Sequence, residues 1–204
     1  MMTGSRKLGK NILMALIMML FPYTYTNAAG IGTWRNYLSY HDVTQIEKAN
    51  NNMLYVLASN GLYSYNTNDH SLQTFDKTNV LSDCEILFIK WNTSAKRLLI
   101  VYSNGNIDIM DNSANVINIS DYYTKSMTED KTVNDIYMYG KYAMMATGFG
   151  IVQINISDCE ISNTYNLGFN VNYCYVQNNT LYAASKTKGI YKCPMTDNLL
   201  DPNN

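Results

Sequence analysis

Leu54-Tyr-Val-Leu-Ala-Ser-Asn-Gly61-Leu-Tyr-Ser-Tyr65 sets an apolar run on each side of a Ser-Asn-Gly tripeptide. Leu98-Leu-Ile-Val-Tyr-Ser-Asn-Gly105-Asn-Ile-Asp-Ile109 does the same again. Asn-Gly between apolar runs predicts strand, tight turn, strand, because glycine reaches backbone conformations that other residues adopt only at a steric cost. Looser copies surround Gly150 (Tyr142 to Ile154) and Gly189 (Leu181 to Cys193), so the four glycines recur at intervals of 39 to 45 residues.

Two further anchors keep step with the glycines. About 15 to 20 residues before each one, apolar residues are paired three apart: Val43 with Ile46, Ile86 with Ile89, Val133 with Ile136, and Val171 with Cys174. These read as the opening strand of each unit. A third apolar stretch follows the hairpin in Leu72-Gln-Thr-Phe75, Val116-Ile-Asn-Ile119 and Ile161-Ser-Asn-Thr-Tyr165. Four strands per repeat of this length describe a β-propeller blade, and the 3.6-residue periodicity of helical repeats is missing after residue 30. The expected fold is all-β: a propeller of four-stranded antiparallel blades near residues 43–77, 86–122, 133–167 and 171–204. The fourth unit contains only its first three strands, so the ring is expected to be incomplete.

Residues 1–28 read as a secretory signal peptide, with a basic start (Arg6, Lys7, Lys10), an apolar stretch from Ile12 to Phe21 and small residues at Ala28 and Ala29. The mature chain, 29–204, is then an exported propeller segment without a transmembrane span, in the periplasm or at the outer cell surface. Removing three basic residues and no acidic ones takes the net charge to about −4. A chain with that balance has no basic patch to neutralise phosphates, so nucleic acid is not an expected partner.

The four cysteines, Cys84, Cys159, Cys174 and Cys193, meet an oxidising compartment after export. The repeat puts Cys174 on a first strand and Cys193 on a third, roughly 9 to 10 Å apart across the strand between them and beyond disulfide reach. Buried free thiols are expected. None of the spacings is the close Cys-x-x-Cys of a metal site, and no metal or cofactor is expected.

Catalytic signals are sparse. His41 and His70 fall in polar connections, and no nucleophile elbow, phosphate-binding loop or His-Glu-x-x-His motif occurs. Asp42, Asp83 and Asp135 precede or open first strands, where carboxylates face a central channel or, more simply, accept turn hydrogen bonds. No enzyme is expected. Propellers commonly bind ligands on the face built by the middle hairpins and the inter-blade connections. Here that face would carry Asn60, Asn104, Phe149 and Lys188, beside the longest connection, Asp121 to Thr132.

Ile31-Gly-Thr-Trp34-Arg-Asn-Tyr-Leu-Ser-Tyr-His41 resembles the mature start of PorZ-like proteins of the Bacteroidota type IX secretion system. So do Tyr55-Val-Leu-Ala-Ser-Asn-Gly-Leu-Tyr63, Lys77-Thr-Asn-Val-Leu-Ser-Asp83 and Lys131-Thr-Val-Asn-Asp-Ile136. The resemblance implies an N-terminal seven-bladed propeller followed by a second propeller and a carboxy-terminal β domain. It also implies a cell-surface complex with the PorU sortase, PorV and PorQ that delivers anionic lipopolysaccharide for attachment to cargo. About three and three-quarter blades of that architecture are present in this chain. Val80 stands where the family's Asn-Gly-Leu-Ser-Asp turn has glycine. The hairpin and Leu-Ser-Asp motifs also occur in periplasmic sensor propellers of hybrid two-component regulators, which is the alternative reading.

Overall fold

The computed structural model describes residues 38–50, 52–59 and 61–201. The expected signal peptide, the Gly-Thr-Trp opening and Asn60 lie outside the described residues. Four antiparallel sheets follow one another along the chain, each with its strands side by side in sequence order. Blade 1 holds β1 (Val43–Lys48), β2 (Met53–Ala58), β3 (Gly61–Asn66) and β4 (Leu72–Phe75). Blade 2 holds β5 (Ile86–Asn92), β6 (Arg97–Tyr102), β7 (Ile107–Met110) and β8 (Val116–Ile119). Blade 3 holds β9 (Val133–Tyr139), β10 (Tyr142–Thr147), β11 (Gly150–Asn155) and β12 (Glu160–Asn166). Blade 4 has three strands, β13 (Tyr173–Gln177), β14 (Thr180–Ser185) and β15 (Gly189–Pro194). A single helical turn, α1 (Asp121–Thr124), opens the connection between blades 2 and 3.

Strands alternate their side chains between two faces, so a sheet covered on both sides needs apolar residues at nearly every position of its middle strands. β6 and β10 meet that demand. Leu98, Ile100 and Tyr102 pack toward blade 1, while Leu99 and Val101 pack toward blade 3. In β10, Ala143 and Met145 face blade 2, and Met144 and Ala146 face blade 4. The protein core is therefore three apolar layers, one between each pair of successive sheets. First strands lie beside one another in order, β1 by β5, β5 by β9 and β9 by β13.

Polar side chains stitch these layers along the inner strands. Gln45 receives the Ile89 amide at 2.9 Å and donates to the Leu87 carbonyl at 3.0 Å. Glu47 accepts from the Trp91 amide at 3.0 Å and pairs with Lys90 at 3.2 Å. Asn92 donates to the Gly140 carbonyl at 3.0 Å, and Asn134 to the Val171 carbonyl at 2.8 Å. Such bonds satisfy backbone groups that no neighbouring strand reaches.

The two Ser-Asn-Gly tripeptides form different turns. In blade 1 Ala58 pairs with Gly61, leaving a two-residue loop, and Gly61 is needed for space: a Cβ there would lie 2.6 Å from the Tyr40 ring. In blade 2 the Tyr102 amide bonds to the Asn106 carbonyl across a three-residue loop, and Gly105 takes φ +85°, the left-handed region that glycine reaches without strain. Val80 is not among the described residues with positive φ, and its turn closes through three amides on the Asp76 carbonyl. No glycine is needed there.

All four cysteines are free, but only Cys174 is buried. Cys84 is exposed, and Cys159 and Cys193 are partly covered, so the expectation of buried thiols needs correcting at three positions. Cys84 sits in a polar turn before β5 rather than on a core-facing strand position.

Candidate functional site

One hydrogen bond recurs at the same end of successive blades. Ser59 donates its amide to the Asp42 carbonyl (3.0 Å), Ser103 to Glu85 (2.8 Å) and Gly148 to Thr132 (2.9 Å). Each hairpin between the second and third strands is thereby drawn against the residues that enter the first strand. This end collects the hairpins and the inter-blade connections into one rim.

The side chains singled out for this rim are placed very differently. Asn104 is exposed and donates to Asp83 at 2.6 Å, while its own Oδ1 accepts the Asn106 amide. Lys188 is exposed at the tip of the blade 4 hairpin, its amide 3.4 Å from Ser185 Oγ. Phe149 is 3% exposed and stacks on Tyr122 with ring centroids 6.5 Å apart, inside the layer between blades 2 and 3. Asn60 lies outside the described residues. Asn104 and Lys188 thus present polar groups to solvent, and Phe149 supports the connection above it.

That connection is tied down from within. Tyr122 is buried and donates its hydroxyl to the Lys131 carbonyl at 2.8 Å. Lys131 in turn donates to the Tyr123 and Lys125 carbonyls, both at 3.0 Å, and holds its ammonium 5.1 Å from the Tyr122 ring centroid. Asp130 accepts from the hydroxyl and amide of Thr132, and the hydroxyl bond is the largest cause holding its carboxyl below the usual range. A cleft of about 150 Å³ remains between the connection and blade 3, bordered by Lys125, Met127, Phe149 and Thr164.

Asp83 behaves as a turn acceptor. Asn104, the Cys84 amide and Lys77 all approach it, and the Asn104 bond chiefly lowers its carboxyl pKa. Asp42 contributes its backbone carbonyl to the hairpin bond. His70 sits in the β3–β4 turn against Tyr65, with Nδ1 2.5 Å from the phenol oxygen. Among the described residues no group of His, Cys, Asp or Glu is arranged to hold a metal ion. Also among them, no helix is long and apolar enough to cross a membrane.

Two features were missed in the sequence reading. Asp108 is fully buried in blade 2, accepting from Tyr102 at 2.5 Å, the Ser82 amide at 2.8 Å and Asn118 at 2.8 Å. An aspartate inside Asn-Ile-Asp-Ile looks like the solvent side of an alternating strand, and nothing local marks it as covered. The second is an apolar cleft of about 510 Å³ on the outer face of blade 1, bordered by Tyr40, Leu54, Val56, Tyr63 and Leu72. Its signal was present: β2 is apolar on both faces, a pattern that demands cover on both sides.

Comparison with known proteins gives the arrangement a family. Among curated proteins no match is found. The extracellular domain of a hybrid two-component system protein of Bacteroides thetaiotaomicron shares the fold at TM-score 0.58 and 20% identity, covering 74% of this chain and 20% of that one. AztD of Citrobacter koseri does so at TM-score 0.60 and 14% identity, covering 76% and 44%. PorZ of Porphyromonas gingivalis, an essential bacterial surface component of the type IX secretion system, superposes at TM-score 0.77 with 29% identity over 84% of this chain. This chain spans 23% of the length of that PorZ. The family model for the N-terminal β-propeller domain of PorZ matches residues 54–204, and the chain belongs to that family of type IX secretion propellers.

Proposed function

We propose that this chain is a non-enzymatic binding and docking module of type IX secretion, exported and exposed at the cell surface, where it contributes to a complex with the PorU sortase, PorV and PorQ and to handling of anionic lipopolysaccharide. The family match across residues 54–204 carries the reading. The rim supports it in kind: its side chains engage one another as turn acceptors and donors, with exposed Asn104, Lys186 and Lys188 left at hairpin tips for contact. Two neighbouring lysines suit an anionic sugar better than the mixed-charge connection between blades 2 and 3 does.

Affinity capture of the tagged chain from outer-membrane extracts of a type IX-secreting bacterium tests the docking role. PorU, PorV and PorQ are the expected partners, and a capture that recovers none of them rejects it. Lys186→Glu with Lys188→Glu is expected to weaken retention on immobilised anionic lipopolysaccharide by about tenfold through lost charge attraction. Unchanged retention removes these lysines from the site.

A further inference from the structure

The connection from Asp121 to Thr132 carries five charged side chains, and three of them are spent on the connection and its neighbours. Glu129 accepts from Thr128 and Asn166, Asp130 accepts from Thr132, and Lys131 donates to the Tyr123 and Lys125 carbonyls. Asp121 and Lys125 are the other two. Both are exposed, and neither side chain enters a hydrogen bond or ion pair among the described residues, although opposite charges four apart on a helical turn are ordinarily neighbours. Both border the cleft of about 150 Å³ beneath the connection. Met127, Phe149 and Ile161 supply its apolar lining, and Thr164 adds a hydroxyl that has no hydrogen bond among the described residues. Blades 2 and 3 cover each other here, so the cleft belongs to the interior of the blade series.

We propose that this cleft binds a free apolar α-amino acid of the size of leucine or methionine. Asp121 takes the α-ammonium, Lys125 and the Thr164 hydroxyl take the α-carboxylate, and the side chain lies against Met127, Phe149 and Ile161. The space equals that of about five waters, well below the roughly 300 Å³ at which pockets for drug-sized ligands begin. A zwitterion answers both unpaired charges at once. A simple anion or cation answers one of them and meets the like charge of the other. This site uses neither Lys186 nor Lys188, so it stands or falls apart from lipopolysaccharide and from docking to the secretion complex.

Calorimetric titration of the purified chain with L-leucine and L-methionine tests it, together with amide chemical shifts of the labelled protein. Saturable one-to-one binding is expected, with shifts centred on residues 121–132, Phe149 and 161–164. No binding up to about 10 mM, or shifts centred elsewhere in the chain, overturns the proposal. N-acetyl-leucine lacks the ammonium and leucinamide lacks the carboxylate, so each is expected to bind about tenfold more weakly than leucine. Either of them binding as well as leucine rules out recognition of a zwitterion. Asp121→Asn and Lys125→Gln each remove a charge from an exposed, unpaired position, which leaves the fold intact, and each is expected to weaken leucine binding about tenfold. In Lys125→Gln the preference for leucine over leucinamide should fall away with its cause, and survival of the full preference overturns the assignment of Lys125. Lys96→Gln, in the β5–β6 turn at the other end of blade 2, is the control that leaves binding unchanged.

Discussion

At the scale of single residues, the most consequential group is a carboxylate that the sequence disguises. Asp108 lies on the face of β7 that meets blade 1, and its three donors come from different segments: Tyr102 on β6, Ser82 in the inter-blade turn and Asn118 on β8. A buried carboxylate held by three donors fixes the position of each of them, and removing it strands the buried Tyr102 hydroxyl without water, whereas exposed Asn118 keeps Asn106 and the Ile107 carbonyl as acceptors. Asp108→Ala is therefore expected to destabilise the fold by about 3 kcal/mol. Tyr102→Phe, which leaves the carboxylate two donors, should cost about half as much. Urea unfolding of both variants measures this through the midpoint at unchanged slope, and equal losses would mean that the Tyr102 hydroxyl carries the whole network. Among the candidate contact residues, Asn104 and Lys188 could be read as exposed because turn chemistry places polar residues at hairpin tips. Phe149 could not be placed so simply. Its fate depends on Tyr122, twenty-seven residues earlier, folding back across it.

Secondary elements were the most legible level, since both the strand periodicity and the turn residues are local. Each glycine marks a hairpin, and the opening strands begin at or beside the paired apolar anchors. What the tripeptide Ser-Asn-Gly could not disclose is its turn type. Pairing continues to Gly61 in blade 1 and stops before Gly105 in blade 2, although a tyrosine ring, Tyr40 or Tyr122, lies close over each of the two glycines. The distinction has a measurable consequence. At Gly105, alanine would have to adopt φ +85° with its Cβ 3.0 Å from the Tyr122 ring, so Gly105→Ala should cost about 1–2 kcal/mol. Gly140, also at positive φ but with nothing within 4 Å of a Cβ, should lose only the conformational part, about 1 kcal/mol. Thermal melts of the pair separate the two contributions, and equal shifts would show that the Tyr122 contact yields freely.

At the scale of the whole molecule, stability rests on three apolar layers, and each contains an acid that burial keeps neutral. Tyr102 lies between blades 1 and 2, Tyr122 between blades 2 and 3, and Cys174 between blades 3 and 4. Burial is the leading cause in all three: it raises both phenols well above their usual 10.0 and pushes the Cys174 thiol from 9.0 up to about 12. No motif marks this arrangement, because it follows from which strand faces meet. The sign of the pH effect is fixed by linkage. In the unfolded chain these groups ionise above pH 9 to 10, whereas in the folded chain they hold their protons. Their contribution is thus fully present below pH 9 and is lost as pH rises toward the folded values. The urea midpoint should stay level from pH 7 to about 9 and then fall steadily through pH 11, with all three layers weakened together. Cys174→Ala should remove the earliest part of that fall, since the thiol has the lowest unfolded pKa of the three, while the decline above pH 10 should persist. A midpoint that holds constant to pH 11 in the unaltered chain would mean that water reaches these layers and that the blades are not packed as described.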